Sequence, residues 1–297
     1  MPLGPRGIIC PLVTPLDDDE KLDEPALARQ VDRVLGRVDG LLLLGTTGEL
    51  PVLDDGVADR LVDAVAEQVA GRATLMVGVG DTGTGRARRN LRRATTSVDF
   101  VAACTPYYYP APDEAALTRH FADLADASAV PLVLYNIPQN THQPIGWNVV
   151  TELAGHDNVV GIKDSSGDTD YFRRLVTLSR PDFTVLQGTQ ERRAAEFLRM
   201  GADGFVSGLE NVIPGALQDL VRAAGDGEDD ALHWAEQRIE TAFEILSQGF
   251  WLSALKVATG MLVGGGDRPA APLPPLSPEH RAAIREILGD LGLLPVS

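Results

Sequence analysis

The chain has 297 residues, 44% of them hydrophobic, which is enough to bury one large core, and its 42 acidic and 26 basic side chains leave a formal net charge of -16. A field of that sign repels nucleic acid and anionic membrane surfaces. The opening stretch MPLGPRGIICPLVTP lacks a basic region followed by a long apolar run and a cleavage site, and no apolar run reaches the roughly 18 residues of a membrane span, so the expectation is a cytoplasmic protein with neither membrane nor nucleic-acid partners.

In chain order, short apolar runs recur with helical stretches between them. The runs at 7–15, 39–47, 73–80, 99–106, 131–138, 159–165, 183–188 and 203–209 are predicted strands. The intervening segments carry apolar residues at spacings of three and four, as in Leu61, Val65 and Val69 or Leu117, Phe121 and Leu124, so each presents one buried stripe. Strands apolar along most of their length and joined by helical crossovers imply a parallel sheet covered on both faces. Such a sheet either stays open and doubly wound or, with about eight units, closes into a (β/α)8 TIM barrel, the α/β fold expected here. The barrel is expected over residues 1–224 and a C-terminal helical extension over 225–297, with helices near 230–246, 252–262 and 279–291 and a proline-rich crossing, RPAAPLPPLSP, between the last two.

Cys10 and Cys104 sit in apolar strand-like runs and read as small buried hydrophobes, not as a disulfide framework. The five histidines are scattered, with no pair at ligand spacing, so neither a metal site nor a metal cofactor is expected.

Three polar signals fall at carboxyl ends of predicted strands. Lys163 follows an uncharged strand in VVGIKDSS, Tyr135 ends another in LVLYNIP, and Thr46 and Thr47 lie in GTTGE. In a barrel those ends converge on the mouth where active sites are built. Burial disfavours an ammonium and favours the free amine, a nucleophile toward ketones, although a lysine at a strand end can also snorkel to solvent. Gly45 and Gly48 around the threonines would let backbone N–H groups approach a carboxylate; an ordinary strand-to-helix turn with a threonine cap has the same look.

GTTGE, TPYYYP at 105–110, YNIP at 135–138, GIKDSSGD at 161–168, GADGFVSG at 201–208 and the tail LPPLSPEHRAAIREIL together resemble the dihydrodipicolinate synthase and N-acetylneuraminate lyase family over nearly the whole chain. The resemblance implies a cofactor-free class I aldolase or lyase, homotetrameric as a dimer of dimers, whose Schiff-base lysine, Lys163, condenses with pyruvate or another 2-keto acid. It further implies that Tyr135 shuttles protons, that Thr46 links it to Tyr108, lent by a neighbouring subunit, that Thr47 and Gly48 hold the keto acid's carboxylate, and that Val206 and Gly188 line the pocket.

Two departures point away from particular members. Where the synthases carry an arginine for a carboxylate after the tyrosine, this chain has Gln139, Asn140 and Thr141, and an uncharged Asn140 offers no bidentate fork. Where sialic acid lyases carry an acidic pair, it has Thr189, Gln190 and Glu191. The reading is an aldolase or dehydratase of a hydroxylated 2-keto acid, such as a 2-keto-3-deoxy sugar acid or 4-hydroxy-2-oxoglutarate, with Asn140, Gln190 and Glu191 recognising hydroxyls. The alternatives are dihydrodipicolinate synthase, N-acetylneuraminate lyase and a keto-acid-binding sensor without catalysis.

Two motifs suggest other classes. GVGDTG at 78–83 matches a dinucleotide fingerprint but sits in the third βα unit, not the first. RARRNLRR at 86–93 could face a polyanion; on a chain of net charge -16 it reads as a solvated or subunit-contacting face.

Overall fold

The computed structural model describes residues 3–226 and 229–295. Eight strands, β1 (Gly7–Pro11), β2 (Gly40–Leu43), β3 (Thr74–Gly78), β4 (Phe100–Cys104), β5 (Leu132–Asn136), β6 (Val159–Asp164), β7 (Thr184–Gln187) and β8 (Gly204–Val206), follow one another in a closed barrel. Every predicted strand is present, and each ends at or before its predicted carboxyl end. The ladder stops where the backbone turns toward the following helix, so 44–47 are bend and turn, and 208–209 begin the short 3-10 helix Gly208–Asn211.

The strands are apolar because both of their faces are covered: all residues of β2, β5 and β6 are buried. The strand pairings resolved around the barrel are parallel, and β1 meets β8 with Gly7 opposite Gly204. Between strands, helices lay the predicted stripes inward: Leu61, Val65 and Val69 are buried on Asp55–Val69, and Leu117, Phe121 and Leu124 on Glu114–Ala127. Aspartates cap them, Asp54 accepting from Gly56 N and Asp113 from Ala116 N at 2.7 Å each, the arrangement that satisfies otherwise orphaned amides.

The chain divides into two compact units. One comprises Thr74–Val206 with the amino-terminal residues to Ile9; it holds β3 to β8 and the start of β1. The other comprises Cys10–Ala73 and the chain from Ser207 on, and holds β2, the GTTGE turn and the carboxyl-terminal helices Asp229–Phe243, Trp251–Val263 and Pro278–Asp290. Between the last two helices runs the proline-rich crossing, without regular helix or strand. No helix among the described residues is long and apolar enough to cross a membrane.

A candidate active site at the carboxyl ends of the strands

In the unit that carries β3 to β8, β5 and β6 place Tyr135 directly opposite Lys163. Cys104, the last residue of β4, stands opposite Tyr135 on the other side. Lys163 is only 4% exposed, and its Nζ lies 3.9 Å from the centroid of the Tyr135 ring, itself buried. A lysine this enclosed is not snorkelling to solvent, so the functional reading of its strand-end placement is the one consistent with its burial.

One register pair further on, Asn136 faces Asp164. Asn136 Nδ2 donates to Asp164 Oδ1 at 2.7 Å, while Asn136 Oδ1 accepts from Ile145 N at 3.0 Å. Ser166 Oγ donates to the other carboxylate oxygen at 2.9 Å. Burial pushes the Asp164 carboxyl above its usual range, against the lowering effect of the Asn136 and Ser166 hydrogen bonds.

Gly188 follows β7 because nothing larger fits. A Cβ there would fall 2.5 Å from Lys163 Cε and closer still to Ser165 Oγ. Its N–H donates to Asp164 O at 2.8 Å, so the glycine is drawn against the lysine stem by a backbone bond. Ser165 Oγ is buried and has no hydrogen-bond partner among the described residues, a costly state for a hydroxyl unless something else meets it.

Among the residues expected at the site, Lys163, Tyr135 and Gly188 are thus brought together, and Val206 ends β8 buried. Glu191 is buried, Gln190 is half-buried with φ 65° and Asn140 is exposed. Tyr108 is 72% exposed, its ring edge-on to that of Tyr109 at 4.8 Å. In the other unit Thr46 is half-buried, while Thr47 and Gly48 are buried. Ser165, Asn136 and Asp164 are the residues sequence reasoning missed. The signal was in KDSS and YN, but nothing local shows which partner a polar residue at the end of a strand meets.

Cys10 and Cys104 are free thiols; Cys10 is buried as expected, and Cys104 is half-buried, with burial pushing its thiol up to about 12. Among the described residues no group of His, Cys, Asp or Glu is placed to hold a metal ion. In the GVGDTG turn, Thr82 N and Arg86 Nε donate to Asp81 Oδ1 at 2.7 and 2.8 Å, which puts a carboxylate where a pyrophosphate would need donors. The arginine run is no single face: Arg93 is buried and donates to Asn90 Oδ1 at 2.9 Å, while Arg88, Arg89 and Arg92 are exposed.

A closed parallel barrel with a buried lysine at the end of its sixth strand has the architecture of the class I barrel lyases. The Dihydrodipicolinate synthetase family profile matches residues 4–291. The chain is 34% identical to a 4-hydroxy-tetrahydrodipicolinate synthase of Stenotrophomonas maltophilia over 97% of both chains, and 33% identical to a DapA-like lyase of Halobacterium salinarum over 99% of this chain and 96% of that one. Among solved structures it superposes on dihydrodipicolinate synthase from Bacteroides thetaiotaomicron with a TM-score of 0.90 at 29% identity, covering 98% of this chain and 100% of that one. YagE of E. coli K12, crystallised in complex with pyruvate, gives 0.89 at 27% identity over 97% and 99%. The chain belongs to the dihydrodipicolinate synthetase family and is a pyruvate-dependent class I lyase.

Proposed function

We propose that Lys163 forms a Schiff base with pyruvate or another 2-keto acid and that the substrate is a hydroxylated 2-keto acid, cleaved by retro-aldol chemistry or dehydrated. The observation that carries the reading is the buried Lys163 amine 3.9 Å from the Tyr135 ring centroid, on adjacent strands in register. The amine attacks the keto carbon, the carbinolamine loses water, and the protonated imine draws electrons from the neighbouring carbon. Loss of a proton there gives an enamine, so a C–C bond forms or breaks without a cofactor. Tyr135 carries protons in these steps, with Thr46 and Tyr108 completing the relay, and proton transfer by a placed side chain is worth about 10²- to 10⁴-fold. Thr47 and Gly48 take the carboxylate, and Val206 and Gly188 wall the pocket.

The distal end of the substrate is assigned from what faces it. No arginine occurs in residues 137–141, so a second carboxylate lacks the expected partner there, whereas Ser165 Oγ is buried without a hydrogen-bond partner among the described residues and suits a substrate oxygen. Asn140, Gln190 and Glu191 are the further groups assigned to hydroxyls. A second reading, 4-hydroxy-tetrahydrodipicolinate synthase, is favoured by the names of relatives at 34–36% identity. The assembly proposed is a homotetramer, supported by the exposure of Tyr108 and Tyr109, and the location proposed is the cytoplasm.

The test is intact mass after borohydride reduction with pyruvate, on wild type and Lys163→Ala. One reduced adduct per wild-type chain and none on the variant is expected; no wild-type adduct would overturn the mechanism. Turnover of 2-keto-3-deoxy acids or 4-hydroxy-2-oxoglutarate, compared with condensation of pyruvate with aspartate semialdehyde, then separates the two substrate readings.

A further inference from the structure

The GTTGE turn is held from behind by a charge pair that the chemistry does not use. The side chains of Glu49 and Lys256 are both 0% exposed, and Lys256 Nζ donates to Glu49 Oε2 at 2.5 Å. The other carboxylate oxygen, Oε1, accepts from Ala270 N at 2.9 Å. One residue of the turn therefore grips both the helix Trp251–Val263 and the first part of the proline-rich crossing.

The turn needs such a grip. It is bracketed by two non-glycine residues in the left-handed region, Leu44 at φ 55° and Glu49 at φ 62°, a conformation that persists only where its surroundings fix it. Within it, Gly48 N donates to Gly45 O and Glu49 N to Thr46 O, each at 3.1 Å. Thr14 Oγ1 donates to Gly48 O at 2.8 Å from a neighbouring loop. A Cβ on Gly48 would lie 2.7 Å from Leu44 N, so the loop is folded as tightly as a glycine allows.

A buried ion pair is a poor source of net stability, since an apolar pair of the same volume often does as well or better. What it supplies is directional: a short charge-assisted bond fixes the Glu49 side chain, and through it the backbone that precedes it. We infer that Glu49 and Lys256 are positioning residues that set the Thr47 and Gly48 backbone for the keto acid's carboxylate. This rests on the assignment of that turn to the carboxylate in the proposed function.

The experiment measures borohydride trapping of pyruvate against pyruvate concentration on wild type, Lys256→Met and the double variant Glu49→Gln/Lys256→Met, with thermal melting of each. Lys256→Met strands a buried carboxylate and is expected to melt lower as well as bind more weakly. The double variant carries no buried charge and is expected to melt within a few degrees of wild type. It should still need at least about 10-fold more pyruvate for half-saturation, with the saturating trapping rate within about 3-fold. A folded double variant with wild-type half-saturation, or with only its saturating rate reduced, would overturn the inference. Should the double variant not fold, Glu49→Gln, which keeps an acceptor for the Ala270 amide, is read against the same two outcomes. A wild type that forms no adduct defeats the lysine mechanism itself, whereas a wild-type adduct with an unshifted variant defeats only this positioning role.

Discussion

Asn136 donates to Asp164 across β5 and β6 one register pair beyond the opposition of Tyr135 and Lys163. Successive residues of a strand point to opposite faces, so this pair ties β5 to β6 on the face opposite the one that carries Tyr135 and Lys163. Asn136→Ala would deprive Asp164 of a donor and leave the Ile145 amide without its acceptor, both buried. A loss of about 2–4 kcal/mol in denaturant unfolding is expected, with a lower rate of pyruvate trapping in the protein that remains folded.

Gly188→Ala tests how closely the lysine stem is confined. The added methyl would overlap Lys163 Cε and Ser165 Oγ, and overpacking of this kind costs about 1–3 kcal/mol. Because the stem must move aside, adduct formation at saturating pyruvate should fall by more than 10-fold. A variant that traps pyruvate at the wild-type rate would show that the stem has slack.

Lys163→Met separates stability from chemistry. It replaces a buried amine with an apolar side chain of similar length, so the melting temperature should hold or rise, by the equivalent of up to about 1–2 kcal/mol. Turnover should drop on the order of 10³-fold or more if Lys163 supplies the imine nitrogen as proposed. Differential scanning calorimetry and a single assay on the purified variant decide both.

His120 provides a pH dependence of known sign. Burial is the main cause that holds its imidazole down at about 4, and its Nδ1 lies 2.8 Å from Thr84 Oγ1. A depressed pKa means the folded state resists protonation, so the stability is present above about pH 6.5 and is lost as pH falls through about 4, up to roughly 3 kcal/mol. Unfolding curves at pH 7, 5.5 and 4 should show that loss in wild type and a smaller one in His120→Leu.

The barrel was legible because its strands are largely buried on both faces and therefore apolar over most of their length, as in GLLL and the start of LVLYN. Lys163 and Tyr135 stood out as polar residues ending such runs. Asp164 and Ser165 did not, since the partners of polar residues at a strand's end, Asn136 and Gly188 here, come from neighbouring strands and their loops and leave no local pattern. The Glu49–Lys256 pair could not be read at all: its members are 207 positions apart, and no local pattern links a glutamate in a turn to a lysine on a late, largely buried helix. Tyr108, expected to be linked to Tyr135 through Thr46, is 72% exposed in the single chain.

The pairing of β5 with β6 slips by one residue between Leu132 and Val133: Leu132 faces Val159 but Val133 faces Gly161, leaving Val160 as the extra residue. That single irregularity decides which side chains the end of β6 turns toward the barrel axis. Without it the register set by Leu132 and Val159 would bring Ile162, not Lys163, opposite Tyr135. Anyone transplanting this strand into another barrel, or trimming it, would have to carry the bulge along with the lysine, because the reactive group is specified as much by counting residues as by naming them.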